Sequence, residues 1–278
     1  MKGGINYSDI VTTVSRTYAE EIKTPVFGEK LDGILRARSE VLYGIENGID
    51  CSHYNPADDN MIYEKYSTEK LHKKAANKIK LQKRLKLVQG EDIPVIGMVT
   101  RLVKQKGIDL ILTKLEEGYD LDAQFVVLGT GEKYYEEMFH TLQKKHPGKI
   151  SINVQFNDDL AHKIYAASDI FLMPSLFEPC GLGQMIALRY GSIPLVRLTG
   201  GLSDTVTPFN ENTGEGNGFG FFHYSHRDMA NTLNYALNLY KNKDIWRKIM
   251  TNAMTSDNCW QKSSEQYEKL YKMIMGRE

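Results

Sequence analysis

The sequence predicts an α/β protein built on a doubly wound, parallel, Rossmann-like sheet. From residue 94 onward, short apolar runs alternate with stretches of helical spacing, and this pattern is typical of βαβ units with right-handed crossovers. The apolar runs are nearly continuous rather than alternating with polar residues. This second observation is expected when helices cover both faces of a parallel sheet.

Five strands and four intervening helices follow from this alternation. The predicted strands are 94–99, 123–129, 150–156, 170–175 and 193–197. The predicted helices between them are 107–117, 132–145, 158–168 and 181–191. After the sheet, residues 226–275 predict three helices with breaks near Lys243 and Asn258.

The part of the chain that precedes the predicted sheet does not fit the alternation. Residues 1–48 predict one strand at 9–15, a helix at 16–22 and a loop-rich stretch. Because one strand cannot form a sheet, this segment is expected to pack on another part of the protein. Residues 66–88 predict a basic helix with its apolar residues four apart, and its lysines are expected to face solvent rather than bind a polyanion.

Composition and charge exclude several classes of protein. The 278 residues include 35 basic and 35 acidic side chains, and the net charge of +0 provides no field that would attract nucleic acid or an acidic membrane. No apolar run approaches the roughly 20 residues of a membrane span. Cys51, Cys180 and Cys259 are odd in number and widely spaced. They suit reduced thiols better than a disulfide framework, have no zinc-site spacing, and favour a cytoplasmic protein.

Candidate ligand-binding groups follow four of the predicted strands. The carboxyl ends of parallel strands meet at one edge of the sheet, which is where ligands bind in this fold class. Arg101, Lys104 and Lys106 follow the first strand. The sequences GTGE (129–132), LFEPCGLG (176–183) and LTGGLSDT (198–205) follow three of the others.

This combination of groups suits a phosphorylated sugar. The backbone N–H groups of 181–183 open a predicted helix, where glycine lets an anion approach the backbone. The guanidinium group of Arg101 is suited to bind two oxygens of one phosphate at once, and Lys106 adds a compact positive charge. Glu178 would repel a phosphate, so we expect it to accept hydrogen bonds from hydroxyl groups of the attached sugar.

Each feature also has a purely structural interpretation. Glu178 is equally suited to cap the helix 181–191, and GTGE is favoured as a simple strand-to-helix turn. Packing is the favoured role for Cys180, because no histidine lies near it in the sequence to activate a thiolate. The acidic pairs in ADDN (57–60) and NDDL (157–160) are typical of turns and helix caps rather than of a metal site. The joint arrangement at one sheet edge therefore carries the functional hypothesis.

Several motifs resemble those of bacterial glycogen synthases and plant starch synthases. They are NYSDIVTTVSRTYAEEI (6–22), LYGIENGID (42–50), RLVKQKGIDLIL (101–112), LFEPCGLGQMIALRYG (176–191) and IPLVRLTGGLSDTV (193–206), and the similarity covers nearly the whole chain. The resemblance implies a retaining glucosyltransferase of the two-domain GT-B architecture. Such enzymes transfer glucose from ADP-glucose or UDP-glucose to the non-reducing end of an α-1,4-glucan and use no metal or other cofactor.

The resemblance also implies roles for individual residues. Arg101 and Lys106 match the basic pair on the donor diphosphate, and Glu178 matches the acid that contacts the donor sugar. Phe156 matches an aromatic position that stacks on the nucleobase. The remaining candidates for the donor site are Cys180, Gly181, Leu182, Gly183, Thr199, Gly200 and Gly201, with Asn47 near the cleft hinge as a weaker one.

The domain organisation expected from this resemblance is that of a partial enzyme. Residues 1–48 match the tail of the amino-terminal GT-B domain and the linker, and residues 49–278 match the donor-binding domain. The rest of the amino-terminal domain, with its acceptor groove, is expected to be missing, so that the chain alone is inactive and exposes apolar surface. The alternatives are a non-catalytic fragment that binds a nucleotide sugar and another GT-B glycosyltransferase.

Overall fold

The computed structural model of the protein describes residues 1–116 and 122–276. Its main feature is a six-stranded parallel sheet, which confirms the predicted fold class. Within the described residues the strands are β1 (Val11–Thr13), β2 (Leu42–Gly44), β3 (Val95–Val99), β4 (Gln124–Leu128), β5 (Ile150–Asn153), β6 (Ile170–Met173), β7 (Ile193–Arg197) and β8 (Phe219–Phe221).

From β3 to β7 the helices alternate with the strands as the sequence predicts. The helices of the described residues are α1 (Lys2–Tyr7), α2 (Arg16–Glu21), α3 (Asp32–Ala37), α4 (Lys74–Arg84), α5 (Ile108–Glu116), α6 (Lys133–Lys145), α7 (Asp158–Ala167), α8 (Gly183–Arg189), α9 (Gly200–Thr205), α10 (His226–Tyr240), α11 (Lys243–Met254) and α12 (Trp260–Ile274). The short helices α1, α3 and α9 were not predicted. Short 3₁₀ turns lie at Ser39–Val41, Thr68–Lys73 and Lys104–Lys106. The end of the predicted helix 107–117 lies outside the described residues.

The strand order of the large sheet fixes where a ligand site can form. In space the order is β5–β4–β3–β6–β7–β8, and every pairing is parallel. The chain winds outward from β3 in one direction and from β6 in the other. The loops that follow β3 and β6 therefore diverge and leave a crevice at their carboxyl ends, which is the topological switch point of this fold class.

Both faces of the sheet are buried, as its continuous apolar strands predict. Successive residues of β4 belong to two different apolar clusters: Phe125 and Val127 pack in one, and Val126 and Leu128 pack in the other. Side chains on a strand point alternately to opposite faces, so helices must cover each side. The sixth strand, β8, was not predicted, because its three residues include Gly220 and follow a glycine-rich loop.

The amino-terminal segment forms a second, small sheet. β1 pairs in parallel with β2, so the expectation of a single strand before residue 48 is wrong. β2 was missed because it has only three half-buried residues after a 3₁₀ turn. Its Gly44 lies so close to the backbone of Ser15 that a Cβ atom would collide with it.

The basic helix differs from the sequence prediction in where it begins and in which of its faces is buried. The chain kinks at Lys70 inside the 3₁₀ turn, and the α-helix begins only at Lys74. The buried face of α4 consists of polar and charged residues as well as one leucine, namely Lys74, Asn77, Lys78, Leu81 and Gln82. The expectation that the lysines of this segment face solvent is therefore wrong for two of them.

The cysteines also differ from expectation. Cys51 and Cys259 form a disulfide between residues 208 positions apart, with their Cα atoms 5.6 Å apart. Wide spacing in the sequence did not reveal this pair, because the fold brings the segment after β2 against the start of α12. Cys180 is buried and free.

The three predicted carboxy-terminal helices are confirmed as α10, α11 and α12. The last turns of α12 expose several large apolar side chains, namely Tyr271, Met273, Ile274 and Met275. Among the described residues, no helix has the length and apolar character needed to cross a bilayer.

Candidate functional site

Two of the predicted site residues meet at the switch point of the sheet. Lys106 follows β3 and Glu178 follows β6, and the Lys106 Nζ atom lies 2.6 Å from Glu178 Oε2. Their side chains are only 16% and 7% exposed. Removing one partner of so poorly hydrated an ion pair would leave a buried, unpaired charge and strongly destabilise the protein. Each charge therefore fixes the position of the other.

The loops that carry these residues are held together by backbone contacts. The backbone N–H of Leu176 donates to the carbonyl of Gln105 at 2.9 Å, and the Gln105 side chain donates to the carbonyl of Phe177 at 3.3 Å. Gly107 has a φ of +72° and lies against the carbonyl oxygen of Pro174, where a Cβ would collide. Glycine is therefore required at this position for the two loops to meet.

Arg197 holds the backbone of the loop that carries Glu178. Its Nη1 donates to the carbonyl oxygens of Ser175 and Leu176, at 3.2 and 2.7 Å, while Ser175 Oγ donates to Glu178 Oε2 at 3.0 Å. Burial lowers the pKa of Arg197 below its usual value. Sequence analysis missed this residue, although an arginine ending an otherwise apolar strand was the available signal.

Glu178 does not cap the helix that follows it. α8 begins at Gly183, its N-cap is Leu182, and no side chain caps its first turn within the described part of the chain. Gly181 has a φ of +75°, and a Cβ there would collide with the Gln184 side chain. The capping interpretation of Glu178 is therefore wrong.

A third loop packs against the backbone of Glu178. The N–H of Gly201 donates to the carbonyl of Glu178 at 3.1 Å. Gly200 has a φ of +46° and packs so closely on that carbonyl that a Cβ would collide with it. The loops of Glu178 and of Thr199–Gly201 thus lie together, as the sheet topology predicts.

Glu21, from the amino-terminal segment, was missed by sequence analysis. Its Oε1 accepts hydrogen bonds from Thr199 Oγ1 at 2.7 Å and from the N–H of Gly200 at 3.0 Å. Helix α2 therefore packs on the start of α9. The signal available was its position at the end of the TYAEE helix, but nothing in the sequence indicated its partner.

Cys180 and Asn47 lie behind the Glu178 loop. Burial raises the pKa of the Cys180 thiol, and a hydrogen bond from the backbone N–H of Asn47 opposes part of that rise. Since a thiol with a raised pKa is a poor nucleophile, packing suits Cys180. Asn47 also lines a pocket of about 160 Å³ together with Met185 and Asp204.

Arg101 and Phe156 belong to a neighbouring pocket. This Phe156 pocket, of about 280 Å³, is lined by residues that include Tyr54, Arg101, Phe156, Asp158, His162 and Tyr165. Strand β5 ends at Asn153 rather than at residue 156, so Phe156 lies in the following loop and is 96% exposed. Arg101 is exposed as well, with a 3.4 Å contact to Gln105 Oε1.

The predicted site residues thus fall into two adjacent groups. One contains Lys106 and Glu178 with the backbone of 180–183 and 199–201. The other pairs Arg101 with Phe156 in a pocket that has both apolar and polar walls. Such an arrangement can receive a flat ring in the Phe156 pocket and an anionic or hydroxylated group beside Lys106 and Glu178.

Comparison with known proteins places this geometry in a family. Residues 79–252 match the sequence model of the family described as "Glycosyl transferases group 1", and residues 1–37 match "Starch synthase catalytic domain". The chain is 55% identical over 275 residues to a glycogen synthase of Desulforamulus reducens and 56% identical over 272 residues to one of Pseudothermotoga lettingae. The two alignments cover 99% and 98% of this chain but only 57% and 56% of the length of the relatives.

Solved structures agree with this placement. The catalytic domain of starch synthase IV from Arabidopsis thaliana, solved with ADP and acarbose, matches with a TM-score of 0.93 and 39% identity, over 99% of this chain and 58% of that one. HepE from Anabaena, solved with UDP, matches with a TM-score of 0.69 at 17% identity, over 97% of this chain and 65% of that one, which shows a shared fold. These matches confirm the fold class as the carboxy-terminal type of GT-B domain. Since the family model covers more than half of the chain, the protein belongs to the group 1 glycosyl transferases.

Proposed function

We propose that this chain forms the donor-binding part of a glycogen or starch synthase. The reaction would transfer glucose, with retention, from ADP-glucose or UDP-glucose to the non-reducing end of an α-1,4-glucan. The observation that carries the proposal is the Lys106–Glu178 ion pair at the switch point of the sheet. Its support from comparison is the identity of more than half of the aligned residues with glycogen synthases.

Each group at the site would have a defined task. The nucleobase would stack on Phe156, and Arg101 at the mouth of the same pocket would bind the diphosphate. The backbone N–H groups of 181–183 would add hydrogen bonds to that anion. The loop 199–201 would line the site, with its Gly200 and Gly201 amides already bonded to Glu21 and Glu178. Donors arranged in advance around a leaving diphosphate stabilise the charge that develops there during transfer.

Glu178 would bind the hydroxyl groups of the sugar, and Lys106 would hold the Glu178 side chain in place. Ser175 and Lys106 both contact Oε2, so Oε1 is the oxygen proposed to accept from a glucose hydroxyl. The lysine ammonium would at the same time reduce the repulsion between this carboxylate and the diphosphate. A paired lysine therefore explains how an acid and an anionic leaving group can share one crevice.

The domain organisation is part of the proposal. Residues 1–48 would belong to the amino-terminal GT-B domain and linker, and 49–278 to the donor domain. The separate β1–β2 sheet and the match of 1–37 to a starch synthase model support this division. Transfer in a GT-B enzyme needs a closed interdomain cleft that excludes water, so the chain alone should bind donor and transfer little. We propose a cytoplasmic location for the enzyme.

Calorimetry with ADP, UDP, ADP-glucose and UDP-glucose tests the site. Wild type should bind at least one nucleotide, and Arg101→Ala should weaken that binding by roughly 10–100-fold, because a charged hydrogen bond contributes about 1.5–3 kcal/mol. Glu178→Gln should retain binding of the free nucleotide and lose any extra affinity for the sugar nucleotide. Lys104→Ala, an exposed lysine in the same loop, is the matched control and should bind normally.

A double variant separates the two tasks of Lys106. Lys106→Ala alone leaves a buried carboxylate unpaired beside the diphosphate, so it should bind nucleotide more weakly than Lys106→Ala combined with Glu178→Gln. Absence of binding to every nucleotide at millimolar concentration would contradict the proposal. If nucleotide binds but an added amino-terminal domain restores no glucan synthesis, the chain is instead a non-catalytic binding module or part of another GT-B transferase.

A further inference from the structure

We propose that His53, Asp158 and His162 form a binding site for a zinc ion at the edge of the Phe156 pocket. One ring nitrogen of each histidine and one carboxylate oxygen of Asp158 all lie within 4.8 Å of one another. His53 comes from the loop just after residue 50, and Asp158 and His162 come from the first two turns of α7. It goes beyond the glycosyltransferase reaction proposed above, which requires no metal.

The orientation of His162 is fixed by a buried carboxylate. The His162 side chain is fully buried, and its Nδ1 atom lies 2.7 Å from Asp59 Oδ2. The same carboxylate accepts from the Tyr190 hydroxyl at 2.6 Å and from the N–H of Met61 at 2.7 Å. Asp59 therefore acts as an acceptor, so the neutral form of His162 carries its proton on Nδ1 and presents a lone pair on Nε2.

That lone pair has no hydrogen-bond partner. Nε2 of His162 is buried and unpaired within the described residues. Asp158 Oδ1 lies 3.9 Å from this atom, which is too far for a hydrogen bond. A buried acceptor left unpaired destabilises a protein, and a metal ion between these atoms would satisfy it.

The three side chains lie close enough together to converge on one ion. Asp158 and His162 are four residues apart on α7, so they share one face of the helix. His53 approaches from the crossing loop, with its ring centroid 5.0 Å from that of His162. Zinc–ligand distances are about 2.0–2.2 Å, so the ligand atoms must close by roughly 1 Å, and both His53 and Asp158 are exposed and able to turn.

The donor set selects the class of ion. Two imidazoles and one carboxylate suit zinc, whereas magnesium and calcium prefer oxygen ligands alone. A histidine whose second nitrogen donates to a carboxylate is the common arrangement around protein-bound zinc, and Asp59 supplies that carboxylate here. The sequence indicated only a helix cap at this position: Asn157 does cap α7, by accepting from the N–H of Leu160 at 2.8 Å, and Asp158 takes no part in that contact.

The test is zinc titration of the full chain after removal of metals, with the disulfide intact and no affinity tag. Calorimetry should detect one saturable site, and zinc should raise the midpoint of thermal unfolding. His53→Ala and Asp158→Asn should each weaken binding by about tenfold or more, because each removes one of three ligands. Both substitutions are at exposed positions, so the variants should fold.

His140→Ala, an exposed histidine on α6, is the matched control and should bind zinc as wild type does. The proposal is overturned if wild type shows no saturable binding, or if the His53 and Asp158 variants bind zinc as tightly as the control. The assay contains no nucleotide, so its outcome does not depend on the function proposed for the sheet edge.

Discussion

The side-chain amine of Lys74 is buried where two helices end. It donates to the carbonyl of Ala166, in the last turn of α7, at 2.8 Å and to that of Tyr190, just after α8, at 3.1 Å. Carbonyl groups at a helix end carry a partial negative charge and otherwise lack partners. Lys74 thus ties the carboxy-terminal ends of two helices together, and its burial lowers its pKa to about 7.

This shift predicts a pH dependence of stability. Between about pH 7 and pH 10 the unfolded chain keeps a proton on this lysine that the native state has lost. The free energy of unfolding should therefore rise from pH 7 to pH 9, by about 1–2 kcal/mol, and this gain should disappear as the pH falls back to 7. Urea denaturation at pH 7, 8 and 9 measures it.

Substitution identifies the residue responsible. In Lys74→Met the rise between pH 7 and 9 should be absent, whereas Lys83→Met, at an exposed lysine on the same helix, should keep it. Measurements stay below pH 10 because burial raises the pKa of Tyr66 and Tyr190, and their ionisation in the unfolded chain then lowers stability. An equal rise in both variants would rule out Lys74 as the source.

At the residue scale, the sequence indicated chemistry better than contacts. Lys106 and Glu178 were both assigned to the sheet edge because strand ends can be recognised from apolar runs. Their direct ion pair was not predicted, since it depends on how two loops from distant parts of the chain meet. The same limit applies to Glu21 and to Arg197, whose partners lie 178 and 21 residues away.

At the scale of elements, α2 and α9 stabilise each other's first turns. Asp204, near the end of α9, accepts from Ser15 Oγ at 2.5 Å and from the N–H of Thr17 at 3.1 Å, at the start of α2. Glu21, at the end of α2, binds the N–H of Gly200 at the start of α9. A carboxylate at a helix N-terminus satisfies unpaired amides and interacts favourably with the helix dipole.

Removing one of these carboxylates should loosen the amino-terminal segment. Asp204→Ala should lower the free energy of unfolding by about 1–2 kcal/mol, which is the usual effect of losing a cap. It should also speed hydrogen exchange of the amides in α2 more than of those in β3 or β6. Glu137→Ala, an exposed acid on α6, is the control. Unchanged exchange in α2 would contradict a stabilising role for this contact.

The long elements were predictable, whereas of the three-residue strands described only β1 was, because it lies inside the longer run of β-branched residues at 9–15. The five long strands and the helices between them follow from apolar runs and helical spacing, with ends correct to within a few residues. β2 and β8 are three residues each, too short to show a pattern. The phase of α4 was missed because its buried face carries lysines that donate to carbonyls, and apolar periodicity does not register buried polar residues with partners.

At the scale of the whole molecule, the disulfide encloses every strand of the six-stranded sheet. Cys51 and Cys259 are 208 residues apart, and a cross-link over such a long loop restricts the unfolded chain strongly. Its reduction should lower the free energy of unfolding by about 2–4 kcal/mol. The same loss is expected in Cys51→Ser, measured without reductant.

Counting thiols in the unfolded protein checks that the bond forms. Without reductant, denatured wild type should react at one thiol, that of Cys180, and after reduction at three. Cys180→Ser should show none before reduction and two after it. Three reactive thiols in unreduced protein would contradict the bridge and would agree with the reduced cysteines expected from the sequence.

The same bridge determines how the molecule would respond to force. If the two chain ends were pulled apart, tension would pass from residue 51 to residue 259 through the sulfur atoms. Residues 52–258, which include every strand of the large sheet, would bear no load. The described elements in the mechanical path are α1–α3 and the β1–β2 sheet before residue 51 and α12 after residue 259. Extension would therefore stop at the covalent link with the crevice between β3 and β6 still intact.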